Sequence, residues 1–182
     1  QKIAIPKEIA SILLCGILSD SLILQSTTTT ETDKEIAEYL SDITDLNIKE
    51  LGNEILLAGS NISGRSAGEL IRQDMKEYTE GKVIYTASQI EVGNPKEILD
   101  RKAEFIAELE IERRSHKAIF SCLLVTDITK LSSHLLISYD SNILPFINFP
   151  KKEDNVYYLQ DVVSRKKQLI PMITEIVLNY QK

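Results

Sequence analysis

Apolar residues recur every three or four positions through the first seventy residues or so, then begin to alternate and run together. Pro6 suits the first turn of a helix. Ile9, Ile12, Leu13, Cys15, Gly16 and Ile17 follow it in a mostly apolar helical pattern, which predicts a helix buried on most sides and ending in Ser19-Asp20-Ser21. The run Ser26-Thr27-Thr28-Thr29-Thr30 is β-branched and hydroxyl-rich, a poor helix but a good cap for the next one. Thr30 or Thr32 starts that helix, with Ile36, Ala37, Leu40, Ile43 and Leu46 as its apolar positions. A third helix covers about Ile48 to Leu57 and reaches Gly59, and a shorter one runs from Ser66 through Leu70-Ile71.

At Lys82 the period changes. Lys82 to Val92 is rich in β-branched and aromatic residues and reads as a strand stopped by Gly93-Asn94-Pro95. One long amphipathic helix is expected from Lys96 to about Ser115, with Ile98, Leu99, Ala103, Phe105, Ile106, Leu109 and Ile111 inside. Ala118 to Thr126 reads as a central strand buried on both faces. Ser133 to Tyr139 and Val156 to Leu159 are further strands, with Asn142 to Asn148 irregular or one helical turn between them. A closing helix runs to Tyr180. The expected fold is α/β: a helical N-terminal part, then interleaved strands and helices forming a small mixed β-sheet flanked by helices, in a single domain over residues 1–182.

The length of 182 residues allows one well-buried core or at most two small lobes. The 43% hydrophobic and 26% charged residues match an ordinary soluble globular protein, and no apolar run reaches the roughly 18 residues of a membrane span. Ile9 to Leu24 lacks the charged leader and cleavage pattern of a signal peptide. Cys15 and Cys122 lie in apolar runs without CxxC or Cys/His neighbours, which points to buried free thiols in a reducing cytoplasm, with neither a disulfide nor zinc. A net charge of -6 argues against a nucleic-acid surface. The opening Gln1-Lys2-Ile3, without methionine and close to a helix, reads as a fragment of a longer protein.

Within this acidic chain, Ser164-Arg165-Lys166-Lys167-Gln168 gathers three cations at a helix start. Cations prefer the last turn of a helix, so three in the first are unfavourable unless an anion binds there. A solvated basic turn is the plain alternative. Val162 and Val163 anchor the approach, however, and positioned cations suit phosphate chemistry. Asp20, at the end of an apolar helix, has two readings: a carboxylate bonded to nearby Ser and Thr hydroxyls, or a ligand for a hard divalent cation. Asp74-Met75-Lys76 taken alone is a commonplace surface tripeptide. His116 and His134 are isolated and read as structural, and Asp127 reads equally as a turn former or a strand-end site.

Taken in order, Leu18-Ser19-Asp20-Ser21-Leu22-Ile23-Leu24-Gln25-Ser26-Thr27-Thr28-Thr29, Asp33-Lys34-Glu35, Asp74-Met75-Lys76, Val125-Thr126-Asp127-Ile128 and Val162-Val163-Ser164-Arg165-Lys166-Lys167-Gln168 carry a resemblance. The chain resembles the DHHA2 domain of the DHH phosphoesterase superfamily, the C-terminal domain of family II inorganic pyrophosphatases. The resemblance implies hydrolysis of pyrophosphate to two phosphates, with manganese or cobalt preferred and magnesium also used, in a cleft between an N-terminal DHH domain and this one. Asp20 then corresponds to a metal ligand, and Lys76, Arg165 and Lys166 to the cations that hold the substrate phosphates; Lys167 has no assigned role. No Asp-His-His occurs in the chain, so most of the metal site belongs to the N-terminal domain and no catalytic set is complete here. The isolated chain is therefore expected to bind no metal of its own and to be inactive. The parent is expected to be a cytoplasmic homodimer without nucleic-acid or membrane partners. Two other readings stand beside this one: a related superfamily phosphoesterase acting on short polyphosphate, and a non-catalytic anion-binding module.

Overall fold

A computed structural model describes residues 5–26, 28–59, 62 and 64–182. Gln1, Lys2 and Ile3 of the opening and Thr27 of the hydroxyl-rich run lie outside these residues. The chain divides into two units, Gln1–Asn61 and Ile62–Lys182.

The first unit holds helices α1 (Lys7–Asp20), α2 (Glu31–Thr44) and α3 (Ile48–Gly59). Thr30 and Asp33 start α2 with a capping box: the Thr30 hydroxyl accepts the Asp33 N–H, and the Asp33 carboxylate accepts the Thr30 N–H. Ala10, Leu14 and Leu18, spaced four apart, bury one stripe of α1 against Ala37 and Leu40. The opposite stripe is open. Ile9, Ile12 and Leu13 are 49%, 68% and 48% exposed, so α1 is not buried on most sides as its composition led us to expect. Among the described residues of this unit, α2 and α3 pack on the face of α1 that carries Ala10, Leu14 and Leu18.

The link after α1 is unusual. Leu22, Ile23 and Leu24 have φ of 49°, 56° and 62°, a left-handed turn built without glycine. Each such residue costs about 1–2 kcal/mol. Leu22 is buried, the Ile23 N–H donates to the Leu18 carbonyl at 2.9 Å, and the Leu24 N–H donates to Ser21 Oγ at 3.0 Å. The Ile23 side chain lies over Gly52, where a Cβ would stand 2.7 Å from Ile23 Cγ1.

The second unit is a six-stranded mixed sheet in the order β1-β2-β3-β4-β6-β5, formed by Lys76–Glu80, Val83–Val92, Phe120–Asp127, Ser132–Tyr139, Val156–Leu159 and, at the far edge, Lys151–Glu153. Strands β2 and β3 are parallel and every other neighbouring pair is antiparallel. This bears out the small mixed sheet expected from the sequence. The two unforeseen strands, β1 and β5, are its edges. Their Lys and Glu residues hide the apolar alternation of a strand, and charge is what protects an exposed edge from further pairing.

Helices α4 (Ala67–Gln73), α5 (Lys96–Asp100) and α6 (Lys102–Ser115) cover one face of the sheet, through Leu70, Ile98, Phe105 and Leu109 against Leu123, Val125 and Leu136. The expected single helix from Lys96 to Ser115 is broken at Arg101, whose φ of -99° and ψ of 14° leave the helical region. Ala103 and Ile111, expected inside, are exposed. Glu112 is buried instead, because Arg72 Nη1 reaches its carboxylate at 2.7 Å. The other face packs on helix α7 (Ile170–Tyr180), with Ile173, Ile176 and Val177 against Tyr85, Phe120 and Leu135.

Glu110 fastens α6 to the sheet. It accepts from Arg113, Arg114 and, on β4, Ser138. The Arg113 hydrogen bond leads in moving its carboxyl from an ordinary 4.5 down to about 2. A depressed carboxyl pKa adds stability above the unfolded value, and that stability is lost as pH falls through the folded one. Unfolding free energy should therefore drop by about 1–2 kcal/mol between pH 5 and pH 2 on account of Glu110, allowing for its partial exposure. Denaturant titrations of wild type and Glu110→Gln check this: the variant should lose less stability across that interval, and parallel losses would contradict it.

Candidate functional site

The basic cluster sits where β6 leads, through Asp161, Val162 and Val163, into α7. The Ser164 carbonyl accepts both the Gln168 N–H at 3.0 Å and the Leu169 N–H at 3.1 Å. The second bond widens the turn Arg165–Leu169 into a π-helical one, with Ser164 Oγ capping the Lys167 N–H at 3.3 Å. Turns of this kind recur at functional sites.

Two glutamines fix the approach to this turn. Gln168 Oε1 accepts the N–H groups of Val163 and Ser164 at 2.9 and 3.0 Å, and its Nε2 donates to the Asp161 carbonyl at 2.7 Å. Gln89, on β2, accepts the Arg165 N–H at 2.9 Å and donates to the Val163 carbonyl at 2.9 Å and to Thr126 Oγ1 at 3.0 Å. Ser133 Oγ donates to the Val162 carbonyl at 2.5 Å. Each backbone group is satisfied by a side chain rooted in the sheet or in the turn itself, so the cluster is not a loose surface loop.

Arg165 is only 12% exposed. Its Nη1 donates to the carbonyls of Asp74 and, at 3.1 Å, Ala87, and lies 2.9 Å from Asp74 Oδ2; its Nη2 donates to Asp74 Oδ1 at 3.4 Å. Of the five N–H groups of the guanidinium, Nη1 uses both of its hydrogens and Nη2 one, which leaves one hydrogen on Nη2 and the Nε–H, buried without a partner. Lys76, two residues beyond Asp74, opens β1 opposite Ala87 in the register. Arg165 and Lys76 are thus brought to the same edge of the sheet. Lys76, Lys166 and Lys167 are exposed and, among the described residues, no carboxylate pairs with them. The acidic chain leaves unneutralised charge at this turn, and among the described residues Asp74 is the carboxylate bonded into it.

Asp20 ends α1 in the first unit and is exposed, so the desolvation argument built on a buried helix end does not apply to it. Among the described residues, none of the Ser and Thr hydroxyls bonds to it. Ser21 is the buried residue there, its Oγ donating to the Ile17 carbonyl at 2.6 Å, while Ser26 Oγ pairs with Thr28 Oγ1 at 2.8 Å. A carboxylate without a partner among the described residues is able to supply one oxygen to a hard cation. Among the described residues no group of three or more His, Cys, Asp and Glu side chains converges, so the donors of a complete metal centre are not met by these residues.

His116 and Asp127 have structural partners. His116 caps α6 and bonds Glu77 Oε2 at 2.6 Å. Asp127 Oδ1 accepts the N–H groups of Thr129 and Lys130, the turn-forming role. Burial raises the Cys122 thiol to about 12, and both cysteines are free. No helix among the described residues is long and apolar enough to cross a membrane. Sequence reasoning missed Gln89 and undervalued Asp74. Gln89 carried a signal: it falls on the Tyr85, Ala87, Gln89 face of a strand, where an apolar residue is expected.

A six-stranded mixed sheet flanked by helices, with a fastened turn of cations beside it, defines an α/β domain. The DHHA2 domain profile matches residues 53–176, and the chain belongs to that family. The match covers most of the second unit and only the end of the first. A relative from Lactobacillus delbrueckii subsp. bulgaricus, named a probable manganese-dependent inorganic pyrophosphatase, is 38% identical over 177 residues, covering 96% of this chain and 57% of the relative. One of the same name from Streptococcus suis is 36% identical over 172 residues, covering 93% of this chain and 55% of its own length. A crystal structure from Methanococcus jannaschii, named for the family II inorganic pyrophosphatases, superposes with a TM-score of 0.80 at 31% identity, covering 97% of this chain and 58% of that one. The chain thus spans little more than half the length of the relatives it matches.

Replacing Gln89 with Leu strips partners from the Arg165 N–H and the Val163 carbonyl. Each buried polar group left unpaired costs about 1–3 kcal/mol. Gln89→Leu should therefore lower the urea midpoint and speed hydrogen exchange at the Arg165 amide. Unchanged exchange there would show that Gln89 does not hold the turn.

Proposed function

We propose that this chain is the C-terminal, substrate-binding part of a manganese-dependent inorganic pyrophosphatase that hydrolyses pyrophosphate to two phosphates. The observation that carries this reading is the fastened cationic turn. Pyrophosphate is a small, highly charged anion, and rigid donors act on its transition state without reorganising. In this reading Arg165 offers its remaining Nη2 hydrogen, while Lys76 and Lys166 supply mobile charge to the phosphoryl oxygens. The Asp74 pair keeps the guanidinium oriented when no substrate is bound. Lys167 remains outside the assigned set.

The reaction takes place, in this proposal, in a metal-containing cleft between this domain and an N-terminal DHH domain of the same protein. Asp20 supplies one oxygen ligand and the partner domain the others. Manganese, with cobalt as substitute and magnesium alongside, would provide Lewis acidity and lower the pKa of the attacking water. Two observations support such a partner: the chain matches little more than half of each relative, and the Ile9, Ile12, Leu13 stripe of α1 is left uncovered. The full-length protein is proposed to be a cytoplasmic homodimer without nucleic-acid partners.

Two measurements test this reading. In the full-length protein, Lys166→Ala should lower kcat/KM for pyrophosphate at least about tenfold, some 1.4 kcal/mol of transition-state stabilisation. Lys166 is exposed, so the fold should survive, and an unchanged value would reduce the cluster to surface charge. This chain alone, supplied with manganese, should show no measurable turnover. Robust hydrolysis would mean that these residues hold a complete catalytic set.

A further inference from the structure

A second basic concavity lies elsewhere in the sheet unit. Its volume is about 550 Å³, and its walls include Lys130, Lys151, Lys152, His134, Pro150 and Tyr158. Among these, Lys76, Arg165 and Lys166 do not appear. That volume exceeds the need of a bare phosphate and falls in the range of sites for small organic ligands.

The polar groups of this cavity are only partly used. Lys151 is paired with Asp154 at 2.6 Å, and Lys130 stands 3.7 Å from Asp127. Lys152 has no ion-pair partner among the described residues. Asp127, the carboxylate in the wall, is almost fully buried: its Oδ1 takes the N–H groups of Thr129 and Lys130 and the Thr129 hydroxyl at 2.6 Å, and its Oδ2 faces Lys130 Nζ at 3.7 Å. His134 is 8% exposed, and its Nδ1 is buried without a partner. Burial leads in holding its imidazole below the ordinary value, with Lys152 and Lys130 adding to that and Asp127 and Glu153 opposing. A neutral imidazole has one N–H to place. With nothing bonded to Nδ1, placing it on Nε2 leaves a donor that no protein group consumes.

An apolar wall faces these donors. The Tyr158 ring lies 5.3 Å from the His134 ring, in cross-strand register with it, and is 37% exposed. Pro150 extends that surface. Cations and a neutral donor beside an exposed ring and a proline suit a ligand with a phosphate at one end and a flat unsaturated group at the other.

We infer that the cavity between Lys130, Lys152, His134 and Tyr158 binds a phosphate monoester with an aromatic or heteroaromatic group. The lysines and the His134 Nε2–H hold the phosphate, and Tyr158 and Pro150 pack against the ring.

The test is an NMR titration of this chain with phenyl phosphate, in parallel with inorganic phosphate and with sodium chloride at matched ionic strength. Phenyl phosphate should produce saturable shifts at His134 and Tyr158 that persist in Lys166→Ala and weaken at least tenfold in Lys130→Ala/Lys152→Ala. Inorganic phosphate should bind the same residues more weakly than the ester. Tyr158→Ala should remove that preference while leaving phosphate binding in place. Shifts confined to residues 164–168, shifts matched by sodium chloride, or equal affinity in the double lysine variant would each overturn the inference.

Discussion

The side-chain amide of Gln89 is the joint on which the site depends. One end accepts the N–H of Arg165; the other donates to the carbonyl of Val163 and to Thr126. A strand in the middle of the sheet thereby dictates where a turn more than seventy residues later begins. Gln168 performs the complementary task from within the turn, closing on Val163, Ser164 and Asp161. With the backbone held from both sides, Arg165 cannot swing into solvent. It enters the sheet edge and meets Asp74 and Ala87. The position of Arg165 relative to Lys76 follows from that chain of bonds.

This arrangement explains how an acidic protein tolerates cations at a helix start. The macrodipole of α7 disfavours them, and Asp74 bonds with only one of them. The cost is met by structure that does not depend on the cations: the core of α7 against the sheet, and the amide bonds beneath the turn. The charge is left free to meet an anion. Asp20, in the first unit, ends α1 as a carboxylate without a partner among the described residues, just before a left-handed turn that Ser21, Leu18 and the close fit of Ile23 on Gly52 sustain. Both features spend stability on geometry rather than on local comfort.

Much of this was legible in the sequence. Strands β2, β3, β4 and β6 follow from periodicity, and the start of α4 from Ser66; Thr30 and Thr32 both fit the start of α2, and the structure caps it with Thr30. The edges were hidden, because Lys-Glu-Tyr-Thr-Glu and Lys-Lys-Glu are charged for reasons of exposure that a hydrophobic pattern cannot register. The exposed stripe of α1 was misread as core, since an apolar residue does not say which surface covers it. Lys76, Arg165 and Lys166 were named from motifs, but the Asp74 pairing and the Gln89 brace are long-range contacts with no local signature.

The central claim is that the turn at Ser164–Gln168 is a prebuilt receptor for the phosphates of pyrophosphate. The most direct measurement is a titration of the isotopically labelled chain with pyrophosphate at constant ionic strength, following backbone amides and the side-chain amides of Gln89 and Gln168. The account predicts saturable shifts at Lys76 and at Arg165 to Lys167, with the two glutamine amides keeping their slow exchange throughout. Absence of shifts in that turn, or loss of protection at the glutamines as pyrophosphate is added, would contradict it.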